Sequence, residues 1–195
     1  MGFRPEFVEA LTLLATAIEQ LAADGHSPPV LVGGAAVELY TGGQITSGDF
    51  DFVSSRQPEF FAELEKLGFE RPNRAGWLTR SLWHPRLRFG VQVVSGSLMD
   101  GNADSERIRL VDVSAGPEEH GLTLRVIPVE DLIADRMAQA LAGKPFRSDM
   151  QNQAVRLYEL AEGIDSDYLD RRIRTETGGE ASLETLAEWL KSCAR

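Results

Sequence analysis

The chain has 195 residues, is 43% hydrophobic and carries a formal net charge of −10. That is enough apolar material for a sizeable core in one domain or two small ones. The negative balance excludes a broad, sequence-independent grip on nucleic acid, which rests on phosphate neutralisation by Lys and Arg, and no run of eighteen apolar residues exists to span a membrane.

The first element is a helix over 5–23, with Phe7, Val8, Leu11, Leu14, Ala15, Ile18 and Leu21 at helical spacing and Pro5 in its first turn. The N-terminal residues lack the apolar stretch of a signal peptide. Gly25 and Pro28-Pro29 stop the helix and lead into a strand at 30–32. A short helix over 35–40 follows Gly33-Gly34 and ends at Thr41-Gly42-Gly43. A strand over 49–53 comes next, then a helix over 58–67 with Phe60, Phe61, Leu64 and Leu67 as its apolar stripe and Gly68 as its C-cap. Further strands are predicted at 76–83, 87–95, 107–113 and 122–127, separated by turn-rich segments. From Pro128 the pattern is helical, at 128–142, 148–163, 166–174 and 181–193. Ser182-x-x-Thr185 marks the start of the last helix without the Glu of a capping box. The sum is an α/β (α+β) architecture: a mixed sheet flanked by helices over 1–127, with a helical domain over 128–195 packed tightly against it.

The chemistry concentrates in one stretch. Leu31-Val32-Gly33-Gly34 ends a strand and opens a helix, and Ser47-Gly48-Asp49-Phe50-Asp51-Phe52-Val53 follows with fourteen residues between Gly34 and Asp49. Side chains alternate along a strand, so Asp49 and Asp51 share a face about 6.5–7 Å apart. Two carboxylates held this way repel unless a cation or strong donors sit between them. A glycine turn at a helix N-terminus presents amides to a phosphate.

This order resembles the minimal nucleotidyltransferases of the polymerase-beta superfamily, and among them abortive-infection type toxins and their bacterial relatives, over about residues 5–160. The resemblance implies a nucleotidyltransferase-like fold. It implies that Gly33, Gly34 and Ser47 contact a nucleoside triphosphate and that Asp49 and Asp51 hold magnesium, with a two-metal site completed by a third carboxylate on a later strand. In Phe89-Gly90-Val91-Gln92-Val93-Val94 the one polar residue, Gln92, stands where that acid is expected. A neutral amide there leaves two readings: a weakened or inactive relative, or replacement of the acid by another such as Asp100 or Asp112. Relatives also carry a basic residue two positions before the serine, where this chain has Ile45. In Pro128-Val129-Glu130-Asp131-Leu132-Ile133-Ala134-Asp135-Arg136, Arg136 matches a triphosphate-binding lysine, and downstream Asp149 alone keeps register while Phe146, Ser148 and Asn152 depart.

Residues 71–90 contain Arg71, Arg74, Arg80, Arg86 and Arg88 and no acidic residue. This stripe either faces a polyphosphate or RNA end, or is a solvated hairpin face; Trp77 and Trp83 within it offer stacking surfaces. Trp189 is expected to pack in the last helix. His26, His84 and His120 are expected at the surface, Arg136 and Arg147 either on phosphate or in surface ion pairs, and Cys193, the single cysteine, as a free thiol in a reducing cytoplasm.

The expected activity is magnesium-dependent transfer of a nucleoside monophosphate from an NTP to an acceptor hydroxyl on a protein, a tRNA end or a small molecule, with no membrane involvement. The resemblance also implies a cognate protein partner of toxin–antitoxin type. The alternative is a disabled nucleotidyltransferase fold serving as a nucleotide- or partner-binding module.

Overall fold

A computed structural model describes residues 2–71, 81–113, 121–143 and 145–193. The described residues form one six-stranded mixed sheet with helices around it. Helix α1 spans Pro5–Ala23 and puts Phe7, Leu11, Leu14, Ile18 and Leu21 into the core. Strand β1 (Val30–Val32) runs into helix α2 (Gly33–Tyr40), followed by strand β2 (Asp49–Val53) and helix α3 (Gln57–Lys66). Strands β3 (Ser81–His84), β4 (Phe89–Ser95), β5 (Arg109–Asp112) and β6 (Thr123–Val126) complete the sheet in the order β3-β4-β2-β1-β6-β5. β2 lies antiparallel to β1 and parallel to β4, and β1 is parallel to β6. Helices α4 (Val129–Ala142), α5 (Ser148–Leu160), α6 (Ser166–Glu176) and α7 (Leu183–Cys193) follow.

Alternation decides what each sheet face carries. Phe50 and Phe52 of β2 and Phe89, Val91 and Val93 of β4 are buried on one face. Phe7 of α1 stacks on Phe50 at 5.3 Å, and Phe60 of α3 meets Phe52 edge-on at 5.1 Å. These two helices therefore seal that face, and each buried aromatic contributes roughly 1.5–3 kcal/mol by leaving water. The opposite face of β2, β4 and β3 carries Asp49, Asp51, Gly90, Gln92, Ser81 and Trp83.

Several boundaries differ from expectation for identifiable reasons. Of the predicted strand 76–83, positions 76–80 lie outside the described residues. Leu87 and Arg88 belong to a turn and not to β4: the Leu87 amide donates to His84 Nδ1 at 3.2 Å, and Arg88 takes φ 59°. His84 is accordingly buried, 7% exposed, with its ring edge-on to Phe69 at 5.0 Å; the surface position expected for it is wrong. His26 is partly exposed, and His120 lies outside the described residues. Residues Ser105–Arg107 form a 3-10 turn, which delays β5 to Arg109. α5 ends at Leu160, where Ala161 turns extended. At the start of α7, Thr185 Oγ1 accepts the Ser182 amide at 3.2 Å, filling the role of the missing Glu. Trp189 packs edge-on against Phe146 at 5.9 Å, and Cys193 is a free, exposed thiol. Among the described residues, no helix is long and apolar enough to cross a membrane.

Candidate active site

The sheet register assembles the centre. Asp51 pairs with Val32 on one side and with Gln92 on the other, and Gln92 in turn pairs with Ser81. In the next row Asp49 pairs with Gly90, and Gly90 with Trp83. Register partners point to the same face, so Asp49 and Asp51 lie together on the side of the sheet away from the aromatic core. Burial and the neighbouring Asp51 charge hold the Asp49 carboxyl above the ordinary carboxylate range.

Asp51 is confined on two sides. A Cβ on Gly33 would lie 2.1 Å from Asp51 Oδ2, and Gly33 takes φ 66°, so only glycine fits this approach. On the other side Gln92 Nε2 donates to Asp51 Oδ1 at 2.5 Å. A carboxylate only accepts, so the amide must turn its NH2 group toward Asp51. Gly34 leaves room for Ser47, whose Oγ would be 2.7 Å from an added Cβ. The Ser47 hydroxyl donates to the Asp49 carbonyl at 2.8 Å and thereby closes the turn that leads into β2.

Glu38 and Arg4 were not singled out in the sequence, yet they anchor this turn. Glu38 of α2 is fully buried. Its Oε2 accepts the Ser47 amide at 2.6 Å and the Arg4 guanidinium at 2.8 Å, while Arg4 also donates to the Ser47 carbonyl at 2.7 Å. Arg4 sits over the Phe7 and Phe89 rings at 5.9 and 5.4 Å. Ile45, at the position where a basic residue was expected, packs against the core instead. The visible signal was an acidic residue on an otherwise apolar short helix.

A cavity of about 450 Å³ opens beside Asp51, lined by Gly33, Leu132, Asp135, Arg136, Asp100 and Asn102 among others. Arg136 is only 6% exposed, so its ion pair with Asp135 is not a surface one. Its Nη1 donates to Gln139 Oε1 at 3.2 Å and its Nη2 lies 3.4 Å from Asp135, but its Nε has no protein partner. That Nε is itself buried, so it is an unsatisfied interior donor, while Arg136 as a residue lines the cavity and brings a positive charge to its wall. Arg147, by contrast, is half exposed and pairs with Asp149 at 2.8 Å, which places it in a surface ion pair.

The elements on the other side of the cavity are joined to one another by a polar lattice that does not itself line it. The Tyr168 hydroxyl donates to Asp131 Oδ2 at 2.8 Å and accepts the Asp104 amide at 3.2 Å, and Arg172 donates to Asp131 Oδ1 at 2.5 Å. Arg107 stacks on the Tyr168 ring at 4.1 Å and bonds Asp165 at 2.8 Å. These contacts tie the segment after β4 to α4 and α6. In that segment Met99 and Asp100 take φ 48° and 52°, conformations uncommon for side-chain-bearing residues.

The expected third acid is not found among the described residues. Among the described residues, no group of three or more His, Cys, Asp or Glu side chains is placed to hold a metal. Asp112 lies on β5, at the opposite edge of the sheet from β3. Asp100 lines the Asp51 cavity without joining such a group. Asp49 and Asp51 therefore share one face of the sheet without a third carboxylate beside them among the described residues. The arginine stripe is divided: Arg71 pairs with Glu65 at 2.6 Å and Arg86 pairs with Glu9, while Arg74, Arg80 and Trp77 lie outside the described residues. For Arg71 and Arg86 acids from elsewhere in the chain supply the balancing charge. Trp83, 40% exposed, shares a shallow second hollow with Asp49, Gln92 and Ser81.

No family model matches the chain, and no curated protein matches it by sequence. Solved structures do. A nucleotidyltransferase-like antigenic protein from Paracoccidioides brasiliensis superposes with TM-score 0.61 at 15% identity, covering 97% of this chain and 94% of that one. The chain has a nucleotidyltransferase-like fold. The antibiotic-resistance factor ANT(2'')-Ia is similar with TM-score 0.54 at 15% identity, covering 92% of this chain and 98% of that one. JHP933 from Helicobacter pylori gives 0.55 at 13% identity, covering 99% and 92%. Within this nucleotidyltransferase-like fold, the geometry above packs Gly33 against Asp51, Gly34 against Ser47 and Gln92 against Asp51, with Arg136 lining the same cavity as Gly33 and Asp51 and with Asp49 and Gln92 lining the neighbouring hollow.

Proposed function

We propose that the protein is a magnesium-dependent nucleotidyltransferase that moves a nucleoside monophosphate from an NTP to an acceptor hydroxyl. The acceptor oxygen would bond to the α-phosphorus while the bond to the β-phosphoryl oxygen breaks, releasing pyrophosphate and a proton. The observation that carries this reading is Asp51, wedged between Gly33 and Gln92 at the mouth of a cavity that Arg136 also lines.

Asp49 and Asp51 would hold the magnesium ion, which supplies charge neutralisation at the phosphates. The Gly33-Gly34 turn lets the triphosphate approach the backbone at the start of α2, where the amides point outward. Ser47 would contribute its hydroxyl to the same phosphates by turning it away from the Asp49 carbonyl. Arg136, which lines the same cavity as Asp51, would bring its positive charge to the leaving pyrophosphate, whose charge grows as the bond breaks. Catalysis in such a site is positioning and electrostatics, with no covalent protein intermediate. The likeness to ANT(2'')-Ia, named as a resistance factor, supports a small molecule as one acceptor class beside protein and tRNA ends.

The test is transfer of label from each α-³²P NTP, with magnesium, to protein, tRNA and small-molecule acceptors. Asp51→Asn is expected to abolish transfer while leaving the fold intact. Magnesium-dependent stabilisation of the fold by NTP without transfer to any acceptor would point to a binding module instead. A nucleotide at about a hundred times its Kd adds roughly 2.7 kcal/mol of stability, so no rise in melting temperature with any NTP would count against both.

A further inference from the structure

Resting on the reading of Asp49 and Asp51 as cation ligands, we propose that the centre takes one divalent cation, with the Gln92 amide NH2 standing in the place of a second. Three observations converge. The register sets Gln92 directly beside Asp51, on the same face and one strand over. Its Nε2 already donates to Asp51 Oδ1 at 2.5 Å, so the partial positive charge of the amide fills the space between the two side chains. No third acid among the described residues joins the pair.

A cation bridging Asp51 and residue 92 needs an oxygen from each side, and magnesium demands near-octahedral oxygen ligation at short range. The amide can offer its carbonyl only by rotating its NH2 away, which breaks the bond to Asp51 and leaves a neutral ligand where a charged one is expected. Asp51 Oδ2 packs into the slot that Gly33 leaves, so both lateral flanks of the carboxylate are taken, and Asp49 lies in the adjacent row on the same face. One cation, shared by Asp49, Asp51 and the phosphates of a nucleotide, would sit in front of that face, between the two rows. Gln92 thus acts as a positioning residue that holds the Asp51 carboxylate through a hydrogen bond, as a second ion would hold it through charge.

Manganese in place of magnesium makes the number of ions readable by electron paramagnetic resonance. The whole protein is titrated with manganese in the presence of the α,β-methylene analogues of ATP, GTP, CTP and UTP in turn. The expected result is one manganese per bound nucleotide with the six-line spectrum of an isolated ion. In Gln92→Glu the stoichiometry is expected to rise to two, with the broadened, exchange-coupled spectrum of ions about 3.5–4 Å apart. A coupled pair in the unsubstituted protein overturns the single-ion centre while leaving the nucleotidyltransferase reading standing. A single ion in a folded Gln92→Glu overturns the role given to Gln92. Manganese held by no nucleotide complex overturns the nucleotidyltransferase reading and this inference with it.

Discussion

The two walls of the cavity are built on different principles. One wall is β1, α2 and the start of β2, contained within residues 30–53 and shaped by backbone: a left-handed Gly33, a turn closed by Ser47, and strand register. The other is α4, α6 and the segment after β4, drawn from residues 98–176 and held by side chains meeting across the chain: Asp131, Arg172, Tyr168 and Arg107. The first wall fixes where charge sits. The second fixes the shape of the space in front of it.

This contrast can be broken from either side. The largest effect is expected on the side-chain wall. Asp131→Ala strips the partner from a buried Arg172 and should cost about 3–5 kcal/mol of unfolding free energy, read by urea denaturation. On the backbone wall, Gly33→Ala drives a methyl group into Asp51. A displacement near 1 Å in such a site costs on the order of 10² in activity or in NTP·Mg affinity. The left-handed conformation adds only about 1–2 kcal/mol of strain, so calorimetry should show binding lost before the fold. Glu38→Gln keeps shape and removes charge; loss of charge-assisted bonds to Arg4 and Ser47 is expected to cost about 1.5–3 kcal/mol in unfolding and to weaken nucleotide binding through the Ser47 turn. The smallest effect concerns pH. Because the Asp49 carboxyl is held above its ordinary range, it takes up a proton sooner on acidification than a free aspartate. Cation affinity, followed by manganese titration, should therefore begin to fall at a pH above the usual Asp titration and recover fully on return to neutrality.

The same contrast explains what could be read without coordinates. The β1–α2–β2 wall is local, and its signals sit close together: Gly33-Gly34, Ser47 and the Asp49/Asp51 alternation all name their positions by spacing. Helix positions, though not every boundary, came through for the same reason, since apolar stripes such as Phe60, Phe61 and Leu64 are periodic. Glu38 and Arg4 lie 34 residues apart, and nothing in either neighbourhood announces that they meet. His84 looked like a loop residue because the turn that buries it, with its Nδ1 accepting the Leu87 amide, has no strong sequence marker. The basic stripe left two readings open, and for Arg86 the choice depends on an acid on α1, which counting charges within the stripe cannot reveal.

The register of β2 carries one more consequence. Phe50 and Phe52 alternate with Asp49 and Asp51 along a single strand. A slip of one residue against β1 would turn both phenylalanines out toward solvent and drive both carboxylates into the apolar interior. Such a conformer loses its aromatic packing and must bury two uncompensated charges, so it cannot persist. Folding proofreads the chemistry here: any molecule stable enough to survive already has its acids facing the right way.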